Sequence, residues 1–568
     1  MSGEDWLRVP IGPGSRRWRT VGTSRNVLAV ARTVTSASRL LDVLPLFRSD
    51  PRVQVLFTVA AGSAFDDGVG DYLRDVEARV VSWAQAVDTP FDLAVSASAN
   101  GELHRLKAPL LLVPHGAGHN RLLAATSDAA GGVSGGVSGD VTGGVQGGVS
   151  GGVSGGVSGL ARRQLVHDGR IVPAAIALSH HEQLTRLAGE CPEAVPLAVV
   201  TGDLCFDRIL ANAARRDRYR RSLGAGDRKL VLISSTWGPN SLLGANSDLV
   251  ARLTTELPFD EYQVVLAAHP NIRYGHGGLQ LRLWLADALD AGLVLLPPQR
   301  GWQAALLAAD VVVGDHGSVT FYGAALGRPT LLASSGREAE ELDPASPTAA
   351  LSRALPRLDP RRDLLGQIET IMGAYRPGAY DEVTGRTLGM SGQASTLLRR
   401  LAYRLMDLEP GPDPAATALP DPLGERGEVL SFLVETEVRD GTVALRRFPA
   451  AGEPGERVRD PHLVVDAEEL DRRLLESAAI IVRGDAADGW AAETLRRYPG
   501  CFMAAEVVGA RRVRLALRDG RRFEVTAGEH GDPDPRCLPS AVYGWLANGN
   551  GPLTTVRVGE REATVRLT

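Results

Sequence analysis

Cysteine is scarce: Cys191, Cys205, Cys501 and Cys537 stand far apart in a chain of 568 residues and form no CxxC pair. That spacing argues against a disulfide framework or a clustered zinc site, and it fits a reducing cytosol. Long apolar runs are also missing. No stretch approaches the ~20 apolar residues that span a bilayer, so any membrane association is expected to be peripheral. The opening stretch, MSGEDWLRVPIGPGSRRWRT, lacks the apolar core of a signal peptide. Excess positive charge is absent too. A formal net charge of −5 argues against a nucleic-acid partner. The pairs Arg162-Arg163, Arg215-Arg216 and Arg220-Arg221 lie in helical stretches with acids nearby and read as solvated faces. No GxGxxG follows the first strand, and no Walker A, GxSxG or HExxH sequence occurs. A dinucleotide dehydrogenase is disfavoured, and neither a cofactor nor a metal ion is expected.

What remains is an ordinary globular composition, 44% hydrophobic and 23% charged, in a chain too long for one core. Residues 1–24 read as a loose polar arm. Strands are expected at 26–31, 53–59, 91–96, 109–113, 174–178 and 198–200, with helices at 36–47, 71–85 and 181–188. The series then restarts, with strands at 230–234, 262–267, 293–296, 311–313 and 330–333. Helices at 249–257, 279–289, 301–309 and 318–326 lie between them. Alternating strands and helices imply parallel sheets covered on both faces. The expected fold class is therefore α/β. It comprises two facing Rossmann-like domains, 25–205 and 206–408, and a ligand cleft between them. A helix at 391–408 is expected to return across the first half. The GGVS-type repeats at 129–159 read as an inserted loop, because glycine-rich sequence cannot build a core. A Pro-rich linker, 409–425, leads to residues 426–568, read as a small α+β domain without a chemical motif.

In open parallel sheets the ligand crevice lies beyond the carboxyl ends of the strands. Four post-strand segments carry suitable side chains. His115 follows a buried strand in Pro114-His115-Gly116 and could take a proton from a hydroxyl near neutral pH. A backbone-bonded loop histidine fits the same pattern. Ser234-Ser235-Thr236-Trp237-Gly238 offers hydroxyls and amides for phosphate oxygens, or a helix cap. His269-Pro270-Asn271 follows another strand and could donate to a diphosphate. The sharpest segment is Val313-Gly314-Asp315-His316-Gly317-Ser318, where a strand, a polar turn and a helix start combine. Its helix N-terminus suits an anion, and Asp315 could orient a hydroxyl or simply fix the turn.

Together these segments resemble the CDP-glycerol glycerophosphotransferase family, the teichoic-acid-type polymerases and primases with a GT-B fold. The resemblance covers roughly residues 90–335. Pro114-His115-Gly116 stands for the family's Trp-His-Gly-Thr-Pro, and Thr201-Gly202 through Asp207 for its Thr-Gly-x-Pro-Arg-x-Asp. Ser234 to Gly238 stands for Ala-Pro-Thr-Trp-Arg. His269-Pro270, Asp315 to Ser318, and Gly327-Arg328-Pro329 follow in order. The resemblance implies a cytoplasmic transferase, peripheral at the inner membrane face. It would move a polyol-phosphate group from CDP-glycerol or a related donor to a polyol-phosphate or glycan acceptor, in cell-envelope polymer synthesis. His115 would be the general base and His269 a donor-site histidine. Ser235, Thr236, Asp315, Gly317, Ser318 and Arg328 would hold the donor. Several family residues are replaced: Gly238 stands for the arginine after tryptophan, Asn271 for a histidine, and Leu204 and Cys205 for Pro-Arg. Arg273, Arg300 and Arg328 are candidates to restore the lost charge. Two alternatives stay open: another GT-B enzyme, such as a sugar-nucleotide glycosyltransferase or UDP-sugar 2-epimerase, and a non-catalytic GT-B-like binding protein.

Overall fold

The computed structural model describes residues 6–11, 14–60, 68–123, 156–333, 341–451, 460–528, 533–548 and 551–568. The chain divides into two compact units. The first holds residues 1–208, 336–354 and 380–417, and the second holds 209–335, 355–379 and 418–568. Each is described by itself.

The first unit is built on β1 (Arg25–Ala31), β2 (Val53–Val59), β3 (Val80–Val81), β4 (Leu93–Ser96) and β5 (Leu110–Leu112). A small hairpin, β6 (Val166–His167) and β7 (Arg170–Ile171), precedes β8 (Ala175–Leu178) and β9 (Ala198–Val200). Apart from the hairpin, all pair in one parallel sheet of order β3-β2-β1-β4-β5-β8-β9. Val27 to Ala31 and Leu93 to Val95 are at most 1% exposed, as continuous apolar runs in a doubly covered sheet require. The first helix, Val34–Val43, starts at the carboxyl end of β1 on a reciprocal cap between Thr33 and Ser36. The helix Ala394–Leu405 belongs to this unit, and Arg399 donates to the Leu46 carbonyl. Its start is capped by Asp207, which accepts from the Gly392 and Ala394 amides.

Two expectations for this unit need correction. The segment 71–85 is not one helix. It is helical over Val69–Asp75 and Trp83–Asp88, with Val80–Val81 between them as an edge strand. Glu77 turns the chain with φ +57°, and Val81 is buried against β2. Nor is the described part of the arm loose, because Val9 and Ile11 enter the core beside Val81, Ala86 and Phe91. Of the Gly/Val/Ser segment 129–159, residues up to 155 lie outside the described residues. Its return strand is described: Leu122 bridges Val157, Ser158 N donates to the Arg121 carbonyl, and Leu122 N donates to the Glu341 carbonyl.

The second unit opens with β10 (Lys229–Ser235), β11 (Tyr262–Ala268), β12 (Val294–Leu295), β13 (Val311–Gly314) and β14 (Thr330–Leu332). They form a parallel sheet of order β12-β11-β10-β13-β14. Both sheets thus carry the Rossmann-like 3-2-1-4-5 order, which reverses between the first and fourth strands. Arg216 and Arg220 do not form a solvated face. Both grip the Asp310 carboxylate, at 2.6 and 2.7 Å, and carbonyls at the end of the helix Trp302–Ala308.

Residues beyond 426 were expected to form a small α+β domain. They instead close a barrel from β15 (Ser431–Arg439), β16 (Thr442–Pro449), β17 (His462–Asp466), β18 (Ile480–Gly484), β19 (Met503–Gly509), β20 (Arg512–Leu517), β21 (Arg522–Ala527), β22 (Thr555–Val558) and β23 (Arg561–Leu567). Closure leaves no open sheet edge to be covered. The helix Leu538–Asn548 contributes Leu538, Ala541 and Val542 to the barrel core. Arg447, 4% exposed at its side chain, anchors the barrel. It forks onto Asp260 at 2.7 and 2.8 Å and reaches Asp534 at 2.9 Å. Asp260 precedes β11, so the barrel is fastened at the amino-terminal edge of the second sheet.

Candidate functional site

In the second unit, β10 and β13 flank the point where strand order reverses. Thr236 follows β10 and Asp315 follows β13, so the fold brings them together at the crevice position of an open α/β sheet. Asp315 is fully buried. Its Oδ2 accepts from Thr236 N at 2.7 Å, Thr236 Oγ1 at 2.8 Å and Leu242 N at 3.0 Å. Its Oδ1 accepts from Gly317 N at 3.2 Å. Four donors converge on one carboxylate, which fixes two loops at once. A Cβ on Gly317 would lie 2.6 Å from Thr236 Cγ2, so the absent side chain permits this approach. Ser235 is occupied as well. Its hydroxyl donates to the Thr236 carbonyl and accepts from Leu243 N. Ser318 begins the helix Ser318–Ala325 directly after Gly317, which places the positive end of that helix beside the same loops.

His269 caps the next helix, Pro270–His276, and its own amide donates to the Ser235 carbonyl. Its Nδ1 accepts from Asn271 N at 3.1 Å. In a neutral ring the hydrogen then sits on Nε2. Arg328 is not part of this group. It precedes β14, level with Asp310, and donates to the Leu307 carbonyl at 3.1 Å. That is the amino-terminal edge of the sheet, opposite Thr236 and Asp315. Proximity along the chain suggested a contact that strand direction forbids.

In the first unit, His115 follows β5 and leans onto the loop after β4. Its Nδ1 lies 3.0 Å from the Ala97 carbonyl. A carbonyl can only accept, so Nδ1 carries the hydrogen and Nε2 is the lone-pair nitrogen. The two histidines thus hold opposite tautomers. Desolvation by surrounding atoms, aided by Arg39 and Arg121, pushes the His115 pKa down to about 4 against the opposing Ala97 bond. The residue stays open to water, which limits that desolvation. Burial lowers neighbouring His119 to about 4 as well, and its Nδ1 meets the Ser158 carbonyl.

Behind the His115 loop is a small crevice, open to solvent, at the carboxyl ends of β5, β8 and β9. Its polar lining includes Arg39, Asp42, Ser179, Thr201 and Asp203. Arg39 Nε donates to the His115 carbonyl at 3.2 Å, and Asp42 pairs with both Arg39 and Arg208. Burial raises the Asp42 pKa, while the two guanidiniums pull it down. Along the chain Arg39 is only an i,i+3 neighbour of Asp42, a spacing that marks no site. Among the described residues no group of acids, histidines or cysteines could hold a metal ion, and no helix is long and apolar enough to cross a membrane.

No family model and no curated protein matches the chain. Among solved structures it is similar to the wall teichoic acid polymerase TagF, at 12% identity and a TM-score of 0.41, over 68% of this chain and 90% of that one. It is also similar to S. aureus MnaA with UDP, at 10% identity and a TM-score of 0.37, over 69% and 100% of the two chains. Anabaena HepE in complex with UDP gives 13% identity and a TM-score of 0.35, over 68% and 100%.

Proposed function

We propose that the chain is a GT-B-type transferase acting on a nucleotide-diphosphate-activated donor, most specifically a CDP-activated polyol phosphate. The observation that carries this reading is the His115 tautomer. Ala97 consumes Nδ1–H, which leaves an unprotonated Nε2 on an exposed residue at the carboxyl edge of a parallel sheet. In the proposed reaction Nε2 takes the proton of an acceptor hydroxyl. The hydroxyl oxygen bonds to the β-phosphorus, the bridging P–O bond breaks, and CMP departs with the electron pair. His269 Nε2–H and the start of the helix at Ser318 would stabilise diphosphate charge. Asp315, Ser235 and Thr236 then act by shaping the loops, since their polar atoms are engaged with protein partners.

The test is a donor panel scored by thermal shift, since a ligand that binds only the native state raises its stability. It is followed by assay of CMP release. CDP-glycerol or a relative should stabilise the protein and yield CMP with an acceptor. His115→Ala should cut turnover by about 10²–10⁴-fold. Because the folded pKa of His115 lies below its ordinary value, the base stays neutral as the medium acidifies. Activity should therefore hold through pH 6.5 and fall only nearer the lowered pKa. Equal turnover by His115→Ala refutes the mechanism, and release of UDP instead of CMP reassigns the donor.

One observation favours a second reading. Ser235, Thr236 and Asp315 direct their polar groups inward, and Gly238 supplies no charge where the resembling family has arginine. A non-catalytic nucleotide-binding protein accommodates both facts. It would show thermal stabilisation by a nucleotide without turnover of any donor.

A further inference from the structure

Glycine follows the candidate base. In Pro114-His115-Gly116-Ala117-Gly118 the peptide after His115 enters a residue without Cβ, so the loop has little stiffness of its own. Gly118 N donates back to the Gly116 carbonyl at 2.8 Å, with φ +78° at Gly118, and this tight turn fixes only the far side of the loop. Two contacts fix the near side. Ala97, after β4, takes the His115 ring through Nδ1. Arg39, in the helix Val34–Val43, takes the main chain: its Nε donates to the His115 carbonyl at 3.2 Å. The guanidinium is itself held. Its Nη1 lies 3.5 Å from Asp42 Oδ2, and Arg208 Nη1 donates to Asp42 Oδ1 at 3.2 Å. The side chains of Arg39, Asp42 and Arg208 are 12%, 10% and 20% exposed, so little water competes for them. Asp42 and its two guanidiniums thus tie the loop after β5 to the helix after β1 and to the chain after β9.

A base on such a loop serves only if its lone pair keeps one direction, since a misplacement of about 1 Å can cost ~10²-fold in rate. We propose that Arg39 is the positioning residue for His115: by holding the His115 carbonyl from a helix, it keeps Nδ1–H on Ala97 and the Nε2 lone pair turned outward. This deepens the transferase reading and rests on it. In this role Arg39 touches neither donor nor acceptor. It also adds a fixed charge beside the ring. Burial pushes the His115 pKa down to about 4, and Arg39 and Arg121 push the same way, against the Ala97 bond. His119 adjoins the ring on the same loop, and Asp42 stands behind Arg39. The chain after β4, Ala97-Ser98-Ala99-Asn100, brings no charge to it.

The test uses the full chain and reads the ring and the rate separately. In protein carrying nitrogen-15 in its histidines, the parent His115 should show one tautomer by nuclear magnetic resonance, with the hydrogen on Nδ1. Arg39→Gln removes both contact and charge. The ring should then sample both tautomers, and its titration should rise by roughly half a pH unit, the weight of one nearby charge in water-like surroundings. Arg39→Lys keeps the charge but offers one nitrogen where the guanidinium uses two. Its titration should stay near the parent's while the tautomers still mix. In the donor assay both variants should lower kcat by about 10–10²-fold and leave KM within about twofold. His115→Ala in the same assay checks the transferase reading itself. Asp42 keeps Arg208 in either variant, so the fold should hold. Should Arg39→Gln fail to fold, Arg39→Lys carries the tautomer and kcat readouts. The proposal is overturned if the ring keeps one tautomer in every folded variant, or if His115→Ala loses turnover while the Arg39 variants match the parent. If the parent turns over no donor, the transferase reading falls, and the ring spectra alone decide whether Arg39 holds His115.

Discussion

Asp315→Asn tests whether one carboxylate organises the candidate site of the second unit. The substitution preserves shape and removes charge. With its oxygen at the Oδ2 position, the asparagine still accepts from Thr236 N, Thr236 Oγ1 and Leu242 N. Each of those bonds falls from the charged range of ~1.5–3 kcal/mol to the neutral range of ~0.5–1.5 kcal/mol, a loss of about 3 kcal/mol for three. The new amide then points its hydrogens at Gly317 N–H, where Asp315 accepts now, and two buried donors face each other at a cost of ~1–3 kcal/mol. Relaxation trims the sum, so local stability should fall by about 4 kcal/mol. Native-state hydrogen exchange reads this directly. The Thr236, Leu242 and Gly317 amides should exchange about 10²–10³-fold faster, while strands β15 to β23 keep their protection. Thr236→Val removes only the hydroxyl bond and should accelerate the same amides about tenfold. If Asp315→Asn changed exchange at Leu242 and Gly317 by less than about threefold, the carboxylate would not be the organising group.

Two further expectations concern the barrel. His462 is buried against Ser540 Oγ, at 2.9 Å, and burial lowers its pKa to about 4. The unfolded ring titrates near ~6.5 and binds more protons below that value. Stability is therefore full above about pH 6.5 and declines as pH falls toward the folded pKa. The loss between pH 7.5 and pH 5 should be about 2 kcal/mol by urea denaturation, and His462→Gln should flatten it. Arg447→Ala leaves Asp260 and Asp534 without their partner and should destabilise the second unit by about 3–5 kcal/mol. Arg447→Lys should restore little, because a single ammonium cannot fork onto Asp260, and limited proteolysis would report both variants.

The parallel sheets were legible in the sequence because doubly buried strands leave unbroken apolar runs such as Val27 to Ala31 and Leu230 to Ile233. The barrel was not. Its strands are half-exposed and interrupted by charge, as in Arg512-Val513-Arg514-Leu515, and its closure depends on distant partners. β16 pairs in parallel with β22, which brings Thr442 beside Thr555, and no local pattern announces that contact. The positions of Thr236 and Asp315 were readable from strand ends. The direction of their polar groups was not, since each is satisfied by a residue far away in the chain. Arg328 failed for a related reason: its motif gave an order of residues, whereas strand direction set the edge on which it stands. Arg216 and Arg220 looked like a solvated face because their acid partner, Asp310, lies beyond β10 and β11 in sequence.

The attachment of the barrel has a genetic consequence. Arg447, Asp260, Arg216, Arg220 and Asp310 gather at the amino-terminal edge of the second sheet, while Thr236, His269 and Asp315 gather at the other. Lesions at the first edge should lower how much protein a cell keeps. Lesions at the second should loosen the loops that Asp315 ties together. The sheet separates the two groups, so a suppressor selected for yield at Arg447 leaves the loops at Thr236, His269 and Asp315 unchanged. A lineage can therefore alter or exchange the barrel without renegotiating the residues at the opposite edge.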